Sequence, residues 1–179
     1  MNHNHTQKHK LEDIYSNLDE IVRESEALIA EFMKINCEVD KRSYSLFRFF
    51  RKNRNSETYA KFRQVDEKLI EMVHALERFC ITHIDELPAS TQAYVRAYEK
   101  YLKSVETAAE LRADFDRQLL EFDIWKSKKE DLNSIRKLKS MIGPSLALCE
   151  MNAHHVNAVA KELSSKQTGD PPDRNEGLV

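Results

Sequence analysis

The chain has 179 residues, of which 41% are apolar and 32% are charged, and its formal net charge is −2 at pH 7. That charge excludes a general attraction to nucleic acid or to anionic membranes, so any such attraction must come from a local cluster of basic residues. Three glycines and four prolines are too few for the turns that a β protein needs. Length and composition therefore predict one all-α domain built from long amphipathic helices.

The first predicted helix begins at Leu11, where apolar residues start to recur three and four positions apart. Only Ser25 interrupts this series, which consists of Leu11, Ile14, Leu18, Ile21, Leu28, Phe32, Ile35 and Val39. Three apolar positions per seven are typical of a bundle helix and are too many for a two-stranded coiled-coil seam. Residues 1–10 contain no apolar run, and we expect them to form a flexible N-terminal tail.

The second predicted helix begins near Ser56, whose hydroxyl is a suitable N-cap. Its apolar positions continue the same spacing and are Phe62, Val65, Leu69, Met72, Leu76 and Phe79, followed by His83. Pro88 either ends this helix or opens the next one, because proline has no N–H to donate inside a helix. Ser90 or Thr91 is then the expected N-cap of the third helix.

The third predicted helix has an apolar residue at every seventh position. These residues are Tyr94, Tyr101, Ala108, Phe115 and Phe122. Tyr94, Tyr98 and Tyr101 give the helix more aromatic residues than one core face needs, which indicates either a surface for self-association or a wide core edge. The pattern is lost within 123–131, where we expect a loop; one continuous helix is the alternative.

The fourth predicted helix begins near Leu132 and contains a helix-breaking dipeptide. Its apolar series is Leu132, Ile135, Ile142, Leu146, Cys149, Ala153, Val156, Ala160 and Leu163. Gly143-Pro144 falls inside this series, and a kink or a short break is expected there. Residues 164–179 are nearly free of apolar side chains and are expected to be a disordered tail. Residues 11–163 are thus predicted to form one antiparallel up-down-up-down four-helix bundle.

This topology brings two basic segments to one end of the bundle, which we call the basic-aromatic pole. Its candidate residues for binding a partner or an anionic surface are Lys41, Arg42, Phe47, Arg48, Phe49, Phe50, Arg51, Lys52, Arg54, Trp125, Lys126, Lys128 and Lys129. Basic and aromatic side chains together are suited to a lipid headgroup layer or to a partner groove. The alternative is that Phe47 and Phe50 cover the core while the basic side chains are solvated.

No arrangement of residues predicts catalysis, a metal site or a cofactor. The sequence has no glycine-rich phosphate loop and no Ser, His and Asp in the order of a catalytic triad. Glu71 and His74 have the spacing of a di-metal ligand pair, but His74 falls on the outer face and no second pair exists. His83 falls at a core position without a nucleophile beside it, and His3 has copper-binding capacity only together with a free N-terminal amine.

The sequence therefore favours a non-enzymatic interaction protein that binds a protein partner through a helix face or through the basic-aromatic pole. A peripheral module for anionic membranes is the alternative, and nucleic-acid binding is a lesser one because the chain is acidic overall. Three widely spaced cysteines, Cys37, Cys80 and Cys149, match no disulfide or zinc pattern. They indicate a cytoplasmic location, with peripheral membrane contact left open.

Overall fold

The computed structural model of the chain describes the backbone of residues 3–42, 52–122 and 129–168, and the side chains of residues 9–39, 56–122 and 130–165. Within these ranges every long element is an α-helix, and no strand is present. The elements are α1 (His3–Arg42), α2 (Lys52–His83), α3 (Ala89–Glu121) and α4 (Lys129–Thr168), with a short 3-10 turn, Ile84–Glu86, between α2 and α3. The all-α prediction is confirmed.

Two helices begin earlier than predicted. α1 begins at His3 rather than at Leu11, so residues 3–10 of the expected tail are helical. α2 begins at Lys52, which places Ser56 inside the helix and not at its N-cap. Apolar spacing marks only the part of a helix that packs against a neighbour, and the polar turns beyond that part give no such signal.

The start of α3 is capped without the predicted hydroxyl. Pro88 is the N-cap of α3, and its carbonyl accepts a hydrogen bond from the backbone N–H of Gln92 at 2.9 Å. The Gln92 side-chain amide donates to the Leu87 carbonyl, also at 2.9 Å. Ser90 and Thr91 are therefore helical residues, and the expectation that one of them is the cap was wrong.

α3 ends where the apolar pattern is lost. Phe122 has φ −69° and ψ 117°, an extended conformation that stops the helix at Glu121, and α4 begins at Lys129. The alternative of one continuous helix is excluded, while residues 123–128 lie outside the described ranges. α4 continues through Pro144 without interruption, so the predicted break is absent, and a bend at that position stays a prediction. Pro144 has no N–H to donate to the carbonyl of Ser140, and both residues are exposed.

The buried side chains of α1, α2 and α4 follow the predicted apolar series. Phe32, Phe62, Leu69 and Leu76 are completely buried. The remaining buried members of the predicted series are Ile14, Leu18, Ile21, Ile35, Val39, Val65, Phe79, Ile135, Ile142, Cys149 and Val156. One core cluster joins side chains from α1, α2, α3 and α4, and Phe115, Ile135 and Ile142 form a second cluster between α3 and α4.

α3 is buried over a wider arc than its sevenfold pattern predicts. Tyr94, Tyr101 and Phe122 are only partly buried. Val95, Leu102 and Ala109, each one position after a member of the series, are completely buried, and Tyr98 and Val105, which lie between them, are almost completely buried. α3 packs against both α2 and α4, so the sevenfold series runs along one side of a face that covers both neighbours.

Individual contacts give the pairing of neighbouring helices. Between α1 and the α2 region, the Phe32 and Phe62 rings lie 5.9 Å apart edge to face, and Lys10 Nζ lies 2.6 Å from Glu86 Oε2. Early residues of α1 thus lie beside late residues of the α2 region, and late residues of α1 lie beside early residues of α2.

α3 makes the corresponding contacts on its two sides. Lys103 Nζ lies 2.7 Å from Glu77 Oε1 of α2, and Arg112 Cζ lies 5.8 Å from the centre of the Phe62 ring. Towards α4, Cys149 Sγ donates to the Ser104 carbonyl at 3.1 Å.

Candidate interaction surface

The residues predicted for the basic-aromatic pole fall at helix ends or outside the described ranges. Lys41 and Arg42 are the last two residues of α1, Lys52 and Arg54 lie in the first turn of α2, and Lys129 is the first residue of α4. Their side chains are outside the described set. Phe47, Arg48, Phe49, Phe50, Arg51, Trp125, Lys126 and Lys128 lie wholly outside the described residues. The pole therefore stays a prediction.

Two of the histidines singled out in the sequence, His74 and His83, are described, and both are at least partly exposed. His83 is partly exposed, with Nδ1 3.3 Å from Glu86 Oε1 and its ring 5.4 Å from the Phe79 ring, so it is not a buried core residue. His74 faces outward, as predicted, and lies 3.2 Å from Glu77. Among the side chains that are described, no three of the residue types His, Cys, Asp and Glu come together as a metal site.

The cysteines are free thiols with different surroundings. Cys37 is exposed, Cys80 is half-buried and Cys149 is buried, where it donates to the Ser104 carbonyl. Burial raises the pKa of both the Cys80 and the Cys149 thiols, which disfavours the reactive thiolate. Cys149 belongs to the main core cluster, as its place in the predicted α4 series indicated, and the half-buried Cys80 packs against that cluster.

The three tyrosines of α3 line the edge of the core beside α1. Tyr98 is buried, and its hydroxyl donates to the Val22 carbonyl at 3.2 Å. The Tyr94 ring is stacked at 6.1 Å from the Tyr98 ring, and the Tyr101 ring lies at 6.2 Å in an edge contact. Burial raises the pKa of all three phenols. Of the two predicted roles, the core edge is the one that these contacts support.

A buried carboxyl lies beside the Phe62 contact. The Asp66 side chain is completely buried, and its Oδ2 accepts a hydrogen bond of 3.0 Å from Arg63 Nη1, while Oδ1 has no hydrogen-bond partner. Burial raises the pKa of Asp66 most strongly, Arg63 opposes that effect, and the nearby carboxylate of Glu110 adds to it. The buried carboxyl makes the stability of the fold sensitive to pH.

The exposed side of α4 between Met141 and Ala158 is poor in charged residues, and we call it the α4 face. It consists of Met141, Gly143, Pro144, Ala147, Leu148, Glu150, Met151, His154, His155, Asn157 and Ala158. Glu150 is the one Asp, Glu, Lys or Arg among these eleven exposed residues. The α4 face is therefore almost uncharged, whereas the exposed residues described on α1, α2 and α3 include many that are charged.

A stretch of α1 of similar length provides a direct comparison. Between Glu12 and Ala30 of α1 there are also eleven exposed residues, and they are Glu12, Asp13, Ser16, Asn17, Asp19, Glu20, Arg23, Glu24, Glu26, Ala27 and Ala30. Seven of these eleven carry a charge, against one of eleven on the α4 face. Charged side chains are the ordinary covering of a helix surface that stays in water.

Large apolar side chains are concentrated on the α4 face. Met151 is 60% exposed, Leu148 46% and Met141 42%. At 100° per residue these three and Pro144 lie within about 80° of the helix circumference, so they form one stripe. The other large exposed apolar residues in the described ranges, Met33 and Ile81, lie on α1 and α2. A continuous apolar stripe is a feature of interaction surfaces, whereas scattered apolar residues are not.

The opposite side of α4 fixes the direction in which the stripe points. Ile142, Cys149 and Val156 are buried, and each is separated from the next by seven residues. Cys149 is bonded to α3, and the Asn152 side-chain amide lies 3.5 Å from the Lys100 carbonyl of the same helix. Because α3 holds this side of α4, the α4 face stays exposed.

Sequence reasoning missed the α4 face, although the sequence contains a signal for it. From Met141 to Ala160 the chain has a single charged residue, Glu150, in twenty. The predicted core series accounts for only part of the apolar residues in this segment and leaves Met141, Leu148 and Met151 unexplained. Apolar residues outside the core series were the available signal.

Comparison with protein-family models finds no matching family, and comparison with curated proteins and with solved structures finds no similar chain. Within the residues that the structure describes, none of the helices carries an apolar stretch long enough to cross a lipid bilayer.

Proposed function

We propose that this protein is a non-enzymatic interaction protein, a helical bundle that binds a macromolecular partner through the α4 face. The observation that carries the proposal is the contrast between eleven exposed residues with one charge on α4 and eleven with seven charges on α1. Burial of Met141, Leu148 and Met151 against a partner is favourable by roughly 25 cal/mol per Å² of apolar surface removed from water.

The proposal includes an up-down-up-down arrangement of the helices. Its support comes from the contact pairs: α1 residue 32 lies beside α2 residue 62, and α1 residue 10 lies beside residue 86. On α3, residue 103 lies beside residue 77, and residue 112 lies beside residue 62. When the residue numbers along one helix rise while those of the contacting residues on the next helix fall, the two helices are antiparallel.

The α4 face matches a protein partner better than it matches an anionic surface. It contains no Lys or Arg, whereas attraction to anionic lipid or to nucleic acid depends on such residues. Those partners remain proposals for the basic-aromatic pole, where the antiparallel arrangement would bring the ends of α1 and α3 close to the starts of α2 and α4.

The proposal is tested by introducing negative charge into the stripe. We expect the double substitution Leu148→Glu with Met151→Glu to abolish recovery of the partner when the tagged full-length chain is used as bait in an extract of its source cells. Two carboxylates would have to be buried in the complex, and each such burial costs several kcal/mol. Quantitative mass spectrometry of the recovered proteins provides the measurement.

The control is Ile81→Glu, which places a single carboxylate on a residue of α2 that is 85% exposed. Wild type and this control should recover the same proteins, which the double variant should lose. Circular dichroism should be unchanged in both variants, because all three positions are on the surface. The proposal is wrong if the double variant recovers the same proteins as wild type, or if wild type recovers none.

A further inference from the structure

The charge distribution of the α4 face identifies the chemistry of the surface that fits it. A surface rich in Lys, Arg, Asp or Glu would have to leave those groups without water and without a partner when it covered this stripe. An apolar, nearly uncharged helix face avoids that cost. In the part of the chain that the structure describes, the α4 face is itself such a surface, with one charged residue among eleven that are exposed.

We infer that the occupant of the α4 face is the α4 face of a second copy of this chain, in a dimer with twofold symmetry. This inference rests on the proposed function, because it uses the same surface. A twofold interface must be self-complementary, since each residue meets its symmetry-related counterpart across the axis. A face with several charges of one sign would repel itself in such a dimer, and the single carboxylate of Glu150 makes that repulsion small.

The sizes of the residues define an antiparallel register for the two helices. With the twofold axis between Cys149 and Glu150, Leu148 of one copy lies opposite Met151 of the other, and both such pairs form. The same register places Met141 opposite Ala158, a large side chain against a small one. Alternation of large and small side chains across an interface allows close packing without voids.

The dimension of the face sets the expected affinity. Residues 141–158 extend over about 26 Å at 1.5 Å per residue, and a helix is about 10 Å wide. Such a patch covers only about 260 Å² on each copy, against about 800 Å² per partner in a standard interface, so we expect a weak, transient dimer with a dissociation constant on the order of 100 μM.

Sedimentation equilibrium of the full-length chain from about 1 to 500 μM tests the inference. We expect wild type to change from its monomer mass of 21.0 kDa towards twice that mass as its concentration rises. Leu148→Glu with Met151→Glu should stay monomeric over the range, and Ile81→Glu should behave as wild type does. A wild type that is monomeric at all concentrations, or a double variant that dimerises equally well, would overturn the inference.

Cross-linking tests the register. In a Cys37→Ser background, a mixture of Leu148→Cys and Met151→Cys chains should form the mixed disulfide under mild oxidation at least tenfold faster than either chain links to itself. Equal rates would contradict the antiparallel register. If wild type is monomeric but still recovers another protein through the α4 face, the dimer inference is wrong and the proposed function is supported.

Discussion

Phe62→Ala is expected to lower the free energy of unfolding by about 3 to 5 kcal/mol, the usual loss for a buried aromatic residue reduced to alanine. Phe62 is completely buried and lies 5.9 Å from the Phe32 ring, with the Arg112 guanidinium 5.8 Å above its own ring. One side chain therefore joins α1, α2 and α3. Its removal leaves a cavity and takes away the ring that covers the largely buried Arg112.

Urea unfolding followed by circular dichroism measures this loss. In a domain of this size the melting temperature should fall by roughly 6 to 20 °C. Phe62→Leu retains most of the apolar volume and should lose much less, and Ile81→Ala at an exposed position should stay within about 0.5 kcal/mol of wild type. A loss below about 1 kcal/mol for Phe62→Ala would contradict the three-helix packing described for this residue.

Asp66→Asn is expected to stabilise the protein at pH 7, by about 1 kcal/mol, and to remove part of its pH dependence. The Asp66 carboxyl is completely buried, with one oxygen bonded to Arg63 and the other without a hydrogen-bond partner. Leaving a buried polar group without a partner costs about 1 to 3 kcal/mol, and the cost is larger for a charged group. The neutral amide avoids the charged part of this cost.

The direction of the pH dependence follows from the raised pKa of Asp66, whose ordinary value is 3.8. The folded chain takes up a proton on Asp66 at a higher pH than the unfolded chain does. The contribution of this group to the free energy of unfolding therefore rises as the pH falls from neutral through its folded pKa, and levels off below 3.8.

The difference between Asp66→Asn and wild type isolates this contribution from that of other groups. Exposed carboxylates act in the opposite direction: a hydrogen bond from Lys103 lowers the pKa of Glu77, and one from Lys10 lowers that of Glu86. The stability advantage of Asp66→Asn should shrink as the pH is lowered from 7 to 4. Asp13→Asn, an exposed change on α1, should stay within about 0.5 kcal/mol of wild type at pH 7. If the Asp66→Asn chain is less stable than wild type at pH 7, the claim that the buried Asp66 carboxylate destabilises the fold is wrong.

The sequence predicted the core of α1, α2 and α4 because apolar residues three and four positions apart lie on one side of a helix, and that side is the buried one. Leu69 and Leu76 were placed correctly for that reason. The spacing was less accurate on α3, where Val95 and Leu102 are more deeply buried than Tyr94 and Tyr101, because the seven-residue series follows only one edge of a wide buried face. Asp66 was missed because its residue type is ordinarily exposed, although it lies four residues after Phe62 on the buried side.

The candidate surface was harder to predict from the sequence than the fold was. Charge density drew attention to the basic-aromatic pole, whose central residues lie outside the described ranges. The α4 face is defined by the absence of charge on exposed positions, and exposure is known only once Cys149 and Val156 are seen to hold α4 against its neighbours. Buried residues can be predicted from the spacing of apolar residues in the sequence. An exposed apolar stripe can be recognised only when the packing of the whole helix is known.

Photo-cross-linking inside the source cells tests most directly whether a macromolecular partner binds the α4 face. A photoreactive phenylalanine analogue would replace Met151 in one chain and Ile81 in another, since both positions are exposed and apolar. We expect discrete cross-linked species from position 151 and none from position 81. Absence of cross-links at position 151, or the same species from both positions, would contradict the claim that the uncharged side of α4 is where this protein binds its partner.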